Sequence, residues 1–233
     1  MPDLRNRIPW VRVGAEAAAI VSSILLAFAI NAWWALRGDQ EVEHEYLTAL
    51  HSEVNAAISE LEDDLQVRET LRTMLVQYLS DGSKDPQLFA EMLYQSSFVN
   101  NLSPPMSVLD ELVSSGRLRL IQSSEIRQGL VLYRQMMEKN DLNDETHRTF
   151  VNTRFIPFLS ERIPLIGLMP ATAGSNAKML SISKEDLAGL SDDEQFQNIV
   201  VERLHHLERG LPRLRSTTEH LKALSVLLKR ESG

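Results

Sequence analysis

The chain begins with a long apolar segment and continues with an amphipathic pattern of helical spacing. Residues 13–36 contain a single charged side chain, Glu16. A helix of about 20 residues spans about 30 Å, which matches the hydrocarbon core of a lipid bilayer. Trp10 precedes the apolar run and Trp33 and Trp34 lie near its end, where indole rings favour the membrane interface. The pattern predicts a transmembrane helix over residues 13–36.

Two other interpretations of this segment are a buried core helix of a soluble protein and a cleaved signal peptide. The length disfavours the first, and the lack of a clear small-residue cleavage site after the run disfavours the second. Arginines precede the segment and acidic residues follow it: Arg5, Arg7 and Arg12, then Asp39, Glu41, Glu43 and Glu45. Because basic residues stay cytoplasmic, we predict a cytoplasmic tail at 1–12. Residues 37–233 then lie in the periplasm of a bacterium, anchored in its inner membrane.

One face of the predicted membrane helix carries small and polar residues. They follow one another at spacings of three or four: Arg12, Glu16, Ala19, Ser23, Ala27 and Asn31. Small residues let helices approach closely, and polar residues in lipid form bonds across helices. We expect this stripe to contact integral membrane subunits or copies of the chain itself. For Glu16, pairing with Arg12 at the cytoplasmic end, contact with a partner helix and a place in a polar pore are open alternatives.

The pattern beyond the membrane segment predicts an all-α protein. Apolar residues recur at three and four, so one helix should run on to about residue 80, with Gly38 as a candidate kink. Arg68 and Arg72 interrupt this apolar seam, which favours a helical bundle over a two-stranded coiled coil. The pattern weakens over 140–144. A last helix over about 192–230 is expected to pack along the first.

Local signals mark where the shorter helices begin and end. Four positions carry signals of a helix start: Asp85-Pro86, Ser123, Ser183 and Ser191. Gly116 is expected to end a helix in the left-handed conformation. Proline is expected to bend or end helices at three places: Pro157, Pro164 and Pro212. Residues 165–182 are predicted to form a loop. Its first five residues are unusually apolar, which suggests packing under a partner or contact with lipid.

Composition and motifs exclude several classes of function but do not assign one. The formal charge of −8 disfavours nucleic acid as a partner, because binding to phosphates requires basic patches. There is no cysteine and no nucleotide-binding or hydrolase motif. Two Glu-x-x-His pairs, Glu41 with His44 and Glu202 with His205, have the spacing of metal ligands, but exposed helix faces explain such short patterns better. We predict no cofactor and no enzymatic activity.

Several motifs carry a resemblance to a known family. Residues 109–121 read Leu-Asp-Glu-Leu-Val-Ser-Ser-Gly-Arg-Leu-Arg-Leu-Ile, and the membrane segment ends on Ala27, Ile30, Asn31 and Trp33 in an Ala-x-x-Ile-Asn-x-Trp pattern. A helix with Glu-Tyr-Leu at 45–47 and Glu-Val-Asn at 53–55 follows. The first 135 or so residues thus resemble an uncharacterised family of bacterial single-pass membrane proteins. The resemblance implies a topology but no activity.

Three functions are compatible with this sequence. We expect a non-catalytic, membrane-anchored scaffold or accessory subunit of a larger membrane complex. The alternatives are a homo-oligomeric pore and a periplasmic domain that senses a small ligand. His205, His206 and His220 are interpreted as surface or capping residues.

Overall fold

The computed structural model describes residues 10–82, 85–100, 102–168 and 183–232. Within them the protein is all-α, as predicted, with helices and no strand. The helices are α1 (Trp10–Asp81), α2 (Pro86–Ser96), α3 (Ser107–Ser114), α4 (Ser124–Phe150), α5 (Ile156–Ser160), α6 (Lys184–Ser191) and α7 (Glu194–Glu231). Single turns of 3-10 helix lie at Arg117–Leu120 and Leu165–Leu168, and a π-helical turn at Val151–Phe155 joins α4 to α5.

The first helix forms both the apolar N-terminal part of the protein and the central rod of the bundle. α1 is helical over 72 residues and continues through Gly38, so the candidate kink there is not a break in the helix. Within α1, Gly14–Asn31 is long and apolar enough to cross a membrane, and none of it is buried. α7 folds back along the second half of α1, and α4 packs against α7.

The bundle has two apolar cores along its length. The proximal core, nearer the N-terminal part of α1, is built from α1, α3, α4 and the end of α7 and includes Leu50, Val54, Leu61, Leu112, Ile126, Tyr133, Leu221 and Leu228. The distal core is built from α1, α2, the end of α4, the π-helical turn, α5, α6 and the start of α7. It includes Leu75, Tyr78, Phe89, Leu93, Phe155, Leu187, Phe196 and Val200. These buried positions are the apolar positions of the helical pattern, so burial of that face holds the bundle together.

Most predicted helix starts are confirmed, and one is wrong. Asp85 accepts hydrogen bonds from the first turn of α2, Ser123 accepts one from α4, and Ser183 accepts one from α6. Ser191, predicted to start the last helix, is instead the end of α6. The cap of α7 is Asp193, whose carboxylate accepts hydrogen bonds from the backbone N–H groups of Gln195 and Phe196. These two bonds lower the pKa of Asp193, and the bond from Phe196 has the larger effect.

Ser191 lies in the last turn of α6 rather than at the start of α7. The same turn carries Leu190, which is buried in the distal core together with Leu187. Serine and aspartate are equally good capping residues. The local sequence therefore offers two starts for α7, and the structure uses the second.

The helix continues through Pro157 and Pro212, where proline was expected to bend or end it, whereas α5 ends before Pro164. Pro157 lies in the first turn of α5, which continues directly from the π-helical turn. A proline ring clashes with the carbonyl four residues earlier and donates no hydrogen bond. The π turn avoids this problem, since Ile156 N–H bonds to the carbonyl of Val151 and the backbone is wider there.

The apolar start of the predicted loop packs on the protein's own core. Leu168 is buried in the distal core and Leu165 packs against it. The expectation that this segment packs under a partner or enters lipid is therefore wrong for Leu165 and Leu168. The rest of the predicted loop, residues 169–182, lies outside the described residues.

Candidate functional site

A layer of buried polar side chains lies between the two apolar cores. We call it the polar layer and define it as Asp64, Arg68, Asn140, Asp144, His147 and Arg203. On α1 it falls between Leu61 of the proximal core and Leu71 of the distal core. On α4 it occupies the stretch where the apolar pattern weakens.

Arg68 is the centre of a buried ion triad. Its Nε donates to Asp64 Oδ2 at 2.6 Å, and its two Nη atoms donate to the two carboxylate oxygens of Asp144 at 2.7 Å each. Burial disfavours the charged guanidinium, but Asp144 and Asp64 outweigh that effect and raise the pKa of Arg68. Asn100 donates to the remaining oxygen of Asp64 at 3.0 Å. The guanidinium of Arg68 thus bonds to both carboxylates and ties α1 to α4.

Arg203 is a second buried cation, and its partners are mostly backbone groups. Its side chain is 1 % exposed. Nε donates to the carbonyl of Ser96 at 3.1 Å and Nη2 to that of Phe98 at 2.9 Å. A cation is favoured there because the C-terminal end of a helix, here α2, carries partial negative charge. Burial lowers the pKa of Arg203 to about 9, which leaves it charged at neutral pH.

His147 completes the layer as a neutral acceptor. Its Nδ1 lies 3.3 Å from Nη1 of Arg203, and because an arginine only donates, Nδ1 accepts and Nε2 carries the proton. Burial, together with the positive charge of Arg203, lowers the pKa of His147 to about 2. The ring stacks on His206 at a centroid distance of 5.3 Å.

The prediction that the three α7 histidines are surface or capping residues is wrong for two of them. His206 is half-buried against His147 and Phe150, and burial lowers its pKa. A ring nitrogen of His220 lies 2.8 Å from the carbonyl of Gly129, so this ring joins α7 to the backbone of α4. His205 is exposed, as expected.

The polar layer has the composition of a structural element. Two guanidinium groups balance two carboxylates, and the cavity beside them is about 30 Å³, which has room for about one water molecule and not for a metabolite. Such a layer favours the helix register in which its charged groups are hydrogen-bonded. It positions α1, α2, α4 and α7 relative to one another.

The two Glu-x-x-His pairs are not brought together. Glu41 and His44 lie on the exposed start of the bundle, and Glu202 forms an ion pair with Arg154. Among the described residues, no three histidine, aspartate or glutamate side chains are arranged to hold a metal ion.

The small-and-polar stripe lies on an exposed helix. Glu16, Ala19, Ser23, Ala27 and Asn31 are all exposed. The hydroxyl of Ser23 bonds back to the carbonyl of Ile20 at 2.8 Å. The backbone of Arg12 and Trp10 belongs to α1, but their side chains lie outside the described residues.

The predicted interface tryptophans are adjacent and exposed. The rings of Trp33 and Trp34 meet edge to face at 5.5 Å. The guanidinium of Arg37 lies 5.6 Å from the ring centre of Trp33. An aromatic pair followed by a cation is typical of a helix leaving a bilayer.

The motifs that carried the family resemblance contact one another. The Tyr46 hydroxyl donates to Glu111 at 2.7 Å and accepts from Arg117 at 3.0 Å. Glu53 accepts from the backbone N–H groups of Val108 at 2.7 Å and Leu109 at 3.2 Å. A carboxylate of α1 therefore caps α3, whose own N-cap, Met106, has no side chain that can do so. Gly116 follows with a φ of 68°, the predicted left-handed position.

The neutral state of His147 predicts a pH-dependent stability. The unfolded histidine takes up a proton below about pH 6.5, whereas the folded one does so near pH 2. Stability should therefore fall by about 1.4 kcal/mol per pH unit below about pH 6.5 from this group alone. In denaturant titrations at pH 7 and pH 5, the loss should be about 2 kcal/mol smaller in His147→Gln than in the native protein. His205→Gln, at an exposed position, should leave the loss unchanged; an equal loss in all three proteins would contradict the assignment.

Comparison of the chain with known protein families, characterised proteins and solved structures finds no match. The family resemblance thus remains a prediction from the motifs.

Proposed function

We propose that this protein is a non-catalytic, membrane-anchored scaffold or accessory subunit of a larger membrane protein complex. In this proposal α1 crosses the inner membrane of a bacterium, with residues 1–12 in the cytoplasm and the bundle in the periplasm. Other integral membrane proteins bind along α1.

The observation that carries the proposal is the contrast between the two halves of α1. From Leu47 onward the helix supplies buried core residues, whereas none of Gly14–Asn31 is buried within the described chain. An apolar helix segment of this length needs lipid, other helices or both around it. Because the helix is continuous, whatever binds the apolar half is held in a fixed relation to the bundle.

A second support comes from the face that the bundle leaves free. Successive helix residues advance by about 100°, which places Ser23, Ala27 and Gly38 on the side opposite to Leu50 and Leu61, the side that α1 turns to the core. Gly38 has no neighbouring atom within 4 Å of where a side chain would begin and no positive φ. An exposed glycine inside a helix costs up to about 1 kcal/mol relative to alanine. No contact of the described residues requires a glycine at position 38, whereas close approach of a partner helix would.

The test is mild extraction of the tagged full-length protein from its own membranes, followed by native mass measurement and identification of co-purifying chains. We expect other membrane proteins in a fixed ratio. Ser23→Leu and Gly38→Leu should each lower their yield at least about tenfold, because a leucine side chain prevents close helix approach.

Ser22→Leu is the matched control, since it makes the same change one residue away and on another face of the helix. It should retain the partners. Recovery of the protein as a ring of identical chains that conducts ions in liposomes would favour the pore instead. Recovery as a monomer, or equal partner yield in all variants, would overturn the proposal.

A further inference from the structure

The charged side chains of the polar layer form two hydrogen-bonded groups. In the first group Arg68 bonds to Asp64 and Asp144, and in the second Arg203 bonds to His147 and to two backbone carbonyls. Among the described residues, no hydrogen bond joins the first group to the second. Both groups nevertheless line one cavity of about 30 Å³. The cavity therefore lies where the two groups meet.

The residues that line this cavity offer more hydrogen-bond donors than the protein satisfies. A guanidinium group has five N–H bonds, and Arg68 and Arg203 each use three of them. His147 Nε2, which carries the ring proton, is buried and has no hydrogen-bond partner among the described residues. Arg203 and His147 are 1 % and 2 % exposed, so bulk solvent does not reach their N–H groups. Because buried donors in proteins are normally paired, the cavity should contain an acceptor.

The charge of the layer decides which kind of acceptor fits. One guanidinium and two carboxylates leave the triad of Arg68, Asp64 and Asp144 with one net negative charge, and Arg203 balances it. An added anion would be a buried charge without a counter-ion, which is strongly unfavourable. A cation would face guanidinium and imidazole N–H groups, which repel it. A small neutral molecule that both accepts and donates hydrogen bonds avoids both penalties.

We propose that this cavity binds one structural water molecule, which links the two charged groups of the polar layer. The water accepts a hydrogen bond from His147 Nε2 and donates one to Asp64, whose carboxylate lines the same cavity. Asp64 accepts from Arg68 and Asn100, and its two oxygens retain lone pairs for a further bond. A bound water molecule needs a cavity of at least about 10–15 Å³ and polar partners, and this cavity provides both. The water thereby connects α1 to the part of the layer built from α4 and α7.

The first test is a crystal structure of the full-length protein, from crystals grown in sodium bromide and at a resolution that shows ordered water. We expect one density peak in the cavity, within hydrogen-bonding distance of both His147 Nε2 and Asp64, without the anomalous signal of bromide. A bromide signal would identify an anion site and overturn the proposal. So would a cavity without density, or a peak that reaches only one of the two groups.

Nuclear magnetic resonance provides an independent test in solution. Histidine is labelled with ¹⁵N in the full-length protein in lipid nanodiscs, and the signal of His147 is assigned by its loss in His147→Gln. We expect the Nε2 proton of His147 to give cross-peaks to water of opposite sign in laboratory-frame and rotating-frame experiments, which indicates a long-lived bound water. His205, exposed on α7, is the internal control and should give none.

A ring proton on Nδ1 of His147, or no long-lived water at Nε2, would contradict the proposal. Neither test involves the membrane segment or its partners. The yield of co-purifying membrane proteins is a separate measurement, so failure of the water site and failure of the proposed scaffold function are distinguishable.

Discussion

Replacement of Arg68 by alanine is expected to lower the free energy of unfolding by about 3–5 kcal/mol. Asp64 and Asp144 are each 5 % exposed, and without the guanidinium both carboxylates would be buried with no cation between them. The penalty of such uncompensated charge exceeds the value of the ion pair itself. Denaturant unfolding of the full-length protein in nanodiscs, followed by circular dichroism, measures this change.

Arg72 offers a matched control one helical turn further along α1. It pairs with Glu208 of α7 at 2.5 Å, but both side chains are more than 40 % exposed. Exposed ion pairs contribute at most about 1 kcal/mol, so Arg72→Ala should be nearly neutral. If Arg68→Ala were no more harmful than Arg72→Ala, the polar layer would have to be accessible to water.

The burial of Arg68 and the exposure of Arg72 could not be predicted from the sequence. Both interrupt the apolar seam of α1, and the spacing alone treats them alike. Arg68 lies in the core and Arg72 on the surface, and their partners, Asp144 and Glu208, are 76 and 136 residues away in the sequence, so the local spacing shows neither partner. A hydrophobic pattern reports which side of a helix is buried, but it does not report which polar residues meet there.

The weakened pattern on α4 has the same origin. Asn140 and Asp144 are buried, and Asn140 donates to Thr217 of α7 at 3.1 Å. The interruption in α1 and the weak stretch in α4 are two sides of one polar layer. Two coinciding gaps in otherwise regular apolar patterns could have indicated it, although neither gap identifies its partner alone.

Features set by short-range physics could be predicted more fully. The left-handed Gly116 and the caps at Asp85 and Ser123 depend on contacts within four residues. The cap of α3 shows the limit, because it comes from Glu53 on another helix. The choice of Asp193 over Ser191 shows the same limit, because both residues are good capping residues and the local sequence does not choose between them.

Arg203→Lys is expected to lower the free energy of unfolding by about 2–4 kcal/mol although the charge is retained. The planar guanidinium reaches the Ser96 and Phe98 carbonyls and His147 in three directions. A single ammonium on a flexible stem does not reproduce that fork, and each buried acceptor left unsatisfied costs about 1–3 kcal/mol. Denaturant unfolding gives the magnitude, and hydrogen exchange should show faster exchange at the end of α2.

Arg209→Lys, at an exposed position on the same helix, should change neither quantity. Arg203→Met removes both the charge and the planar hydrogen-bonding group, so it should be at least as harmful as Arg203→Lys. Comparison of the two variants separates the effect of the charge from that of the hydrogen-bond geometry. A native-like stability for Arg203→Lys together with a large loss for Arg203→Met would mean that charge at the end of α2 suffices. Equal losses for the lysine and methionine variants would instead identify the three-way hydrogen bonding as the interaction that fixes α2 against α4 and α7.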